Sequence, residues 1–126
     1  MNPGEFFAGT DFHDSLLETA VYSPELRQLR MVIDFCWWRQ PGFISGSEET
    51  GLIELVFSDV TVYENPAEFF RSDSILDVYS KQDSVIFCML PDEPGEYYEI
   101  SIKARAVQIH QLTDEQLFTV CSRNHR

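Results

Sequence analysis

The stretch TDFHDSLLETAVYS, residues 10–23, sets His13, Asp14 and Ser15 side by side. These are the three side chains of an acyl-transfer triad, in which an imidazole takes the serine proton and a carboxylate orients the imidazole. That chemistry needs the imidazole between the other two groups, with each hydrogen bond near ~3 Å. Consecutive strand residues alternate faces, so His13 and Ser15 can share a side while Asp14 points away. The serine also lacks a G-x-S-x-G elbow to hold it exposed. The tripeptide is therefore read as a polar entry into a strand. Asp14 and Ser15 satisfy backbone donors there, and His13 stands at the sheet rim.

Other chemistries fare no better. Asp11, His13, Asp14 and His110 could surround a metal, but nothing in their order has the paired spacing of a zinc site. The acidic turn Asp92-Glu93-Pro94-Gly95-Glu96 lacks the D-x-[DN]-x-[DN]-G order that fixes oxygens around calcium. Among the 21 acids, Glu54 and Asp34 are the best candidates for a paired-carboxylate hydrolase, being mid-strand. A general acid there would need an apolar pocket, whereas alternation puts both on a polar face where water is expected. No G-x-G-x-x-G or G-x-x-x-x-G-K-[ST] cradle for phosphates occurs. No catalytic, metal-binding or cofactor-binding residue is assigned, and no cofactor is expected. Trp37-Trp38-Arg39 stands out for a different reason. If Trp37 is core, Trp38 faces outward beside Arg39, and Trp and Arg are the side chains that dominate interface hot spots.

The elements that would position these residues are mostly strands. SLLETAVY, from Ser15 to Tyr22, has strand composition and is stopped by Ser23-Pro24. ELRQLRMVIDFCWW is the clearest strand: Leu29, Met31, Ile33, Phe35 and Trp37 share one face, and Arg30, Asp34 and Trp38 the other. After the loop PGFISGSEETG, Ile53, Leu55 and Phe57 alternate with Glu54 and Ser58, but Val60 and Val62 have the opposite parity. A bulge at Ser58-Asp59 would restore one apolar face. Asn65-Pro66 has cap and first-turn chemistry, so NPAEFF is read as one short helical turn. SILDVYS and SVIFCML form a pair across KQD. YYEISIKARAVQIHQ is a long strand with a bend near Arg105-Ala106, where Val107 and Ile109 change parity. LTDEQLFTVC, with Thr113 and Gln116 at capping-box spacing, predicts a short C-terminal helix. Residues 1–9 show no period and are read as an N-terminal arm. The sequence shows no internal repeat or linker, and residues 1–126 are read as a single domain. The fold class is mainly β: an antiparallel β-sandwich or a strongly curved sheet with a short C-terminal helix.

Composition sets the compartment and the charge. The chain has 126 residues and a net charge of −12. Of this, −11 falls on residues 48–99, which carry thirteen acids against Arg71 and Lys81. Such a chain repels phosphate backbones and anionic lipid, so neither nucleic acid nor membrane is an expected partner. Cys36, Cys88 and Cys121 are odd in number and widely spread, which reads as reduced thiols in a cytoplasmic protein. MNPGEFFAGTDF has no basic n-region or apolar h-region, so no secretion signal is expected.

The order FHDSLL, LRMVIDF, IELVFSDVTVY, over residues 12–63, resembles small bacterial β-rich domains of the YxiG-like and toxin-immunity type. The resemblance implies a β-rich cytoplasmic domain, often encoded near toxins, with no catalytic residues to carry over. Together with the charge map it predicts an acidic, non-enzymatic binding module, an immunity or accessory protein engaging a basic protein partner. The expected contact residues are Trp38, Arg39, Glu48, Glu49, Glu54, Asp92, Glu93 and Glu96, with Asp59, Glu64 and Glu68 also expected to converge on one acidic face. A small-ligand or enzymatic domain with a pocket between sheets is the alternative, and a structural domain that homodimerises through an edge strand is a third reading.

Overall fold

The computed structural model describes residues 2–40, 50–66, 73–91 and 96–112 of the chain. Eight strands account for most of it: β1 (Leu16–Ser23), β2 (Gln28–Cys36), β3 (Thr50–Ser58), β4 (Val62–Glu64), β5 (Asp73–Lys81), β6 (Ser84–Leu90), β7 (Tyr98–Lys103) and β8 (Ala106–Gln111). They form a single antiparallel sheet in the order β4-β7-β6-β5-β1-β2-β3-β8. A helix, α1 (Pro3–Ala8), precedes β1, and a 3-10 turn (Trp37–Arg39) follows β2.

The connections follow from local chemistry. β1 and β2 are joined by a turn closed by the Arg27 N–H on the Pro24 carbonyl, with Arg27 in the left-handed region at φ 51°. Gln82, at φ 57°, helps make the two-residue hairpin between β5 and β6, where Lys81 pairs with Ser84. The parity change expected after Ser58 is present: Asp59 takes φ 53°, and Val60 swings into the core at 1% exposure. Past that bend Tyr63, with Val60, packs toward the core, whereas Val62 is only half-buried. Val62 is thus absent from the core cluster that a single bulge at Ser58-Asp59 would have it join. The second parity change, at Ala104-Arg105, separates β7 from β8.

These two bends face each other. β3 pairs with β8 and β4 with β7. Between the two ladders, Arg105 N–H donates to Ser58 O and Thr61 N–H donates to Lys103 O. β3–β4 and β7–β8 thus form one long bent pair, although β4 and β8 stand at opposite ends of the strand order.

One apolar cluster fills the inner side. Leu29, Met31, Ile33 and Phe35 of β2 join Ile53, Leu55 and Phe57 of β3, Phe87 and Met89 of β6, and Ile100 and Ile102 of β7, each at most 1% exposed. The period-two reading of these strands holds because side chains two apart share a face. β2 is shorter than its apolar run suggested. Residues 25–27 belong to the turn, and Trp37–Arg39 leave the strand for the 3-10 turn.

Residues 2–9 do more than an arm would. Asn2 caps α1 by accepting from the Glu5 N–H, Pro3 opens its first turn, and Phe7 enters the core at 4% exposure. Its ring stacks on Phe57 and meets Phe12 and Phe87 edge-on or tilted. Six helical residues are too few to display a 3.6-residue period, so the apolar pattern gave no warning. The expected C-terminal helix and most of NPAEFF lie outside the described residues.

Candidate functional site

The segment Asp11–Ser15 meets the 3-10 turn at the end of β2, and this junction gathers Asp11, His13, Asp14, Ser15 and Arg39 of the polar side chains singled out in the sequence. Asp14 takes φ 69°, which lets the chain turn sharply before β1. Its N–H donates to the Ile75 carbonyl and the Ile75 N–H donates to the Ser15 carbonyl, so the turn is stitched onto β5. Ser15 is fully buried, and its Oγ accepts the Cys36 N–H at 3.1 Å. The serine therefore satisfies a buried backbone donor of the neighbouring strand, as a polar strand entry requires.

The imidazole is wired elsewhere. His13 Nδ1 lies 2.6 Å from the Leu76 carbonyl, which can only accept, so Nδ1 carries a proton. Nε2 faces Asp14 Oδ1 at 3.4 Å. A triad needs the carboxylate on one ring nitrogen and the serine on the other. Here a backbone carbonyl and a carboxylate occupy the two positions, and Ser15 is engaged with Cys36. The cysteine is also quiescent: burial pushes the Cys36 thiol up, against the opposing effect of its Ser15 contact.

The side chains that do converge are Asp11, Asp14, Trp38, Arg39 and Gln40. Arg39 Nε lies 3.3 Å from Asp11 Oδ2, and its Nη1 lies 3.6 Å from Asp14 Oδ2. The same guanidinium sits over the Trp38 ring, 5.1 Å from its centroid. Gln40 staples the junction: its Nε2 donates to the Asp11 and Cys36 carbonyls while its Oε1 accepts the Asp11 N–H. Trp37 turns inward, edge-on to Phe35 at 4.8 Å, and lies close over Gly51, where a Cβ would come within 3.1 Å of its indole nitrogen. Trp38 remains 45% exposed on a support fixed from three sides. Beside it runs a groove of ≈ 770 Å³ bordered by Thr10, Asp11, Arg39, Asp77 and Tyr79.

The remaining candidates are dispersed. Glu54 is not on a wet face: it is 8% exposed and pairs with Arg30 at 3.1 Å. The outer face of β2 and β3 also carries Val32 and Val56, buried to 3% and 5% exposure, so alternation with water on one side does not describe it. Asp34 is half-buried on that face, and Glu96 is exposed just before β7. Asp59 stands at the far end of β3 and Glu64 ends β4, so the described acids of the middle segment do not share one environment. Glu48, Glu49, Glu68, Asp92 and Glu93 lie outside the described residues. His110 is on β8 opposite Glu54, with β3 and β2 between it and β1. Among the described residues no three His, Cys, Asp or Glu side chains are grouped to hold a metal ion, and no helix is long and apolar enough to cross a membrane.

Sequence reading missed Asp11 and Gln40 as structural partners, because they lie 29 residues apart and no local pattern links them. It also missed the outer acidic row of β5–β7. There Tyr79 donates to Glu99 Oε2 at 2.7 Å, and Cys88 lies 3.8 Å from the same oxygen. That hydrogen bond to Glu99 pushes the Tyr79 phenol up to about 12, and burial followed by Glu99 and Asp77 pushes the Cys88 thiol up. Comparison with family models, with curated proteins and with solved structures returned no match to the chain.

Proposed function

We propose that the protein is a non-enzymatic binding module that engages a basic protein partner through the corner built from Trp38, Arg39, Asp11 and Asp14. The observation that carries this reading is Trp38. A large aromatic ring left 45% exposed, yet held beside a guanidinium and two half-exposed carboxylates, has the make-up of an interface anchor. One arginine against two carboxylates leaves the corner net negative, so a partner lysine or arginine gains a carboxylate and the face of the Trp38 ring away from Arg39 together. The immunity or accessory role suggested by the FHDSLL and IELVFSDVTVY segments agrees with this reading. Support for it comes from the corner more than from the acidic middle segment, since Glu54 is buried in an ion pair.

The scaffold suits such a role. We infer that the sheet is strongly curved, its ends drawn together where the β3–β4 and β7–β8 bends meet, with Phe7 of α1 closing the apolar interior. A rigid rolled sheet presents its corner with little ordering cost on binding.

The test is a pull-down from source cells with the whole chain as bait, at low and high salt. A basic protein is expected, captured less at high salt because screening weakens its attraction to the acidic bait. Trp38→Ala should reduce its capture at least tenfold with the denaturation midpoint nearly unchanged. Capture that survives Trp38→Ala undiminished, or the absence of any basic protein, would end this reading.

A further inference from the structure

The opposite end of the molecule has the opposite chemistry. β2 runs from Gln28 to Cys36, so its start lies roughly 26 Å from the Trp38 corner, at about 3.3 Å per residue. A cleft of ≈ 720 Å³ opens there, lined among others by Arg27, Lys103 and Arg105 together with Asp59 and Asp83. Three bases against two acids give a lining of net +1 in a chain of net −12.

The pairing of the described bases sorts by position. Arg30 holds Glu54 at 3.1 Å, and Arg39 holds Asp11 and Asp14 at 3.3 and 3.6 Å. In the cleft, Arg27 and Arg105 make no ion pair among the described residues. Lys103 has only Asp83 at 3.8 Å, and that carboxylate is 84% exposed. Two of the cleft's three bases thus lack a carboxylate partner among the described residues. The hairpin beside them adds Lys81, exposed and likewise unpaired among the described residues.

The backbone holds these bases in fixed relation. The Val60 N–H donates to the Arg27 carbonyl at 2.8 Å, the Arg105 N–H to the Ser58 carbonyl at 3.1 Å, and the Thr61 N–H to the Lys103 carbonyl at 2.8 Å. All three base-bearing positions are thus tied to the single segment 58–61. Ser80 and Ser84 supply neutral hydroxyl donors across the cleft. Guanidinium forks match the oxygens of phosphate and carboxylate alike, and the cleft volume falls in the ordinary range of small-ligand sites.

We propose that this cleft binds a compact oxyanion carrying two or more negative charges. The charge requirement follows from the lining: Arg27, Lys103 and Arg105 offer three cationic groups, and an anion with two or more charged oxygens can engage more than one of them at once. Two chemical sources share this recognition, a phosphate ester and a polycarboxylate, and the probes separate them.

The experiment is an amide-resolved NMR titration of the intact chain with pyrophosphate and, separately, with citrate, at low salt. Saturable shifts are expected at residues 26–28, 59–61, 82–84 and 103–106. Saturation by pyrophosphate alone assigns a phosphate ligand, and saturation by citrate alone a carboxylate one. Arg27→Asn keeps the turn, because asparagine tolerates a positive φ, and Arg105→Gln leaves its backbone bond in place. Each should weaken binding about tenfold, the size expected for losing one charged hydrogen bond. Asp83→Asn should tighten it severalfold by freeing Lys103. Failure of both probes to saturate, shifts centred on residues 36–40, or affinity unchanged in both arginine variants would overturn the proposal.

Discussion

Ser15 shows how a residue can look catalytic and be structural. Its hydroxyl accepts the buried Cys36 N–H, so Ser15→Ala should leave that donor unmet and cost about 1–3 kcal/mol. A chemical denaturation midpoint would register the loss, and labelling of Ser15 by an activated phosphonate would contradict the assignment. Glu99 supports a second prediction. As hydrogen-bond acceptor it favours the neutral Tyr79 phenol, whose titration is pushed to about 12 from an ordinary 10.0. A group raised in the folded state contributes stability that is fully present below its unfolded value and is lost as pH rises through the folded one. Any contribution of this pair is therefore intact below about pH 10 and disappears toward pH 12. In Glu99→Gln, ultraviolet titration should find the Tyr79 phenol shifted back toward 10. The Cys88 thiol should fall only partway, because burial is its larger cause. An unmoved phenol would mean that the pair does not form in solution.

Among the elements, α1 is the one that changes the picture of the fold. Its opening NPGEFF, residues 2–7, matches NPAEFF at residues 65–70 in five of six positions, a recurrence too short to make a structural repeat. Cap chemistry noted at the second copy was thus available at the first, where Asn2 and Pro3 do begin a helix. Because Phe7 packs among Phe12, Phe57 and Phe87, Phe7→Ala should cost ~3–5 kcal/mol, as large aromatic deletions in cores do. An arm would give a negligible change, so a single unfolding curve separates the two. The strand phases make a companion claim. Ile33→Ala or Phe57→Ala, both at fully buried positions, should each cost ~2–5 kcal/mol through lost burial and a residual cavity. Unaltered midpoints in both would contradict the assigned faces.

At the scale of the whole molecule, charge is divided between two ends of one sheet. Trp38, Asp11 and Asp14 present a negative, aromatic corner, while Arg27, Lys103 and Arg105 border a positive cleft. If the ends act separately, Trp38→Ala should weaken capture of a basic protein without altering anion affinity. Arg27→Asn should do the reverse, as substitutions well beyond 7–10 Å apart are expected to act independently. Cross-effects of similar size in both assays would show that the two ends are coupled and that the division into roles is wrong.

The sequence by itself determined the strands and their inner faces. Met31, Ile33 and Phe35, or Ile53, Leu55 and Phe57, need only a period of two to be recognised, because the pleat forces alternation wherever one face is buried. It also determined that alternation breaks, at Ser58-Asp59 and near Arg105-Ala106, since an apolar residue on the wrong parity demands a bend; the second break falls one residue earlier, at Ala104-Arg105. What it could not hold was anything made by chain segments distant in sequence. The meeting of the two bends, the Gln40 staple on Asp11, the Arg30–Glu54 pair and the gathering of three bases from two turns all depend on strand order. Strand order is decided by how the whole apolar surface closes, and no local pattern encodes it. Glu54 is the clearest case: alternation correctly placed it on the outer face, where the fold nonetheless buries it beside Val32 and Val56 and pairs it with Arg30.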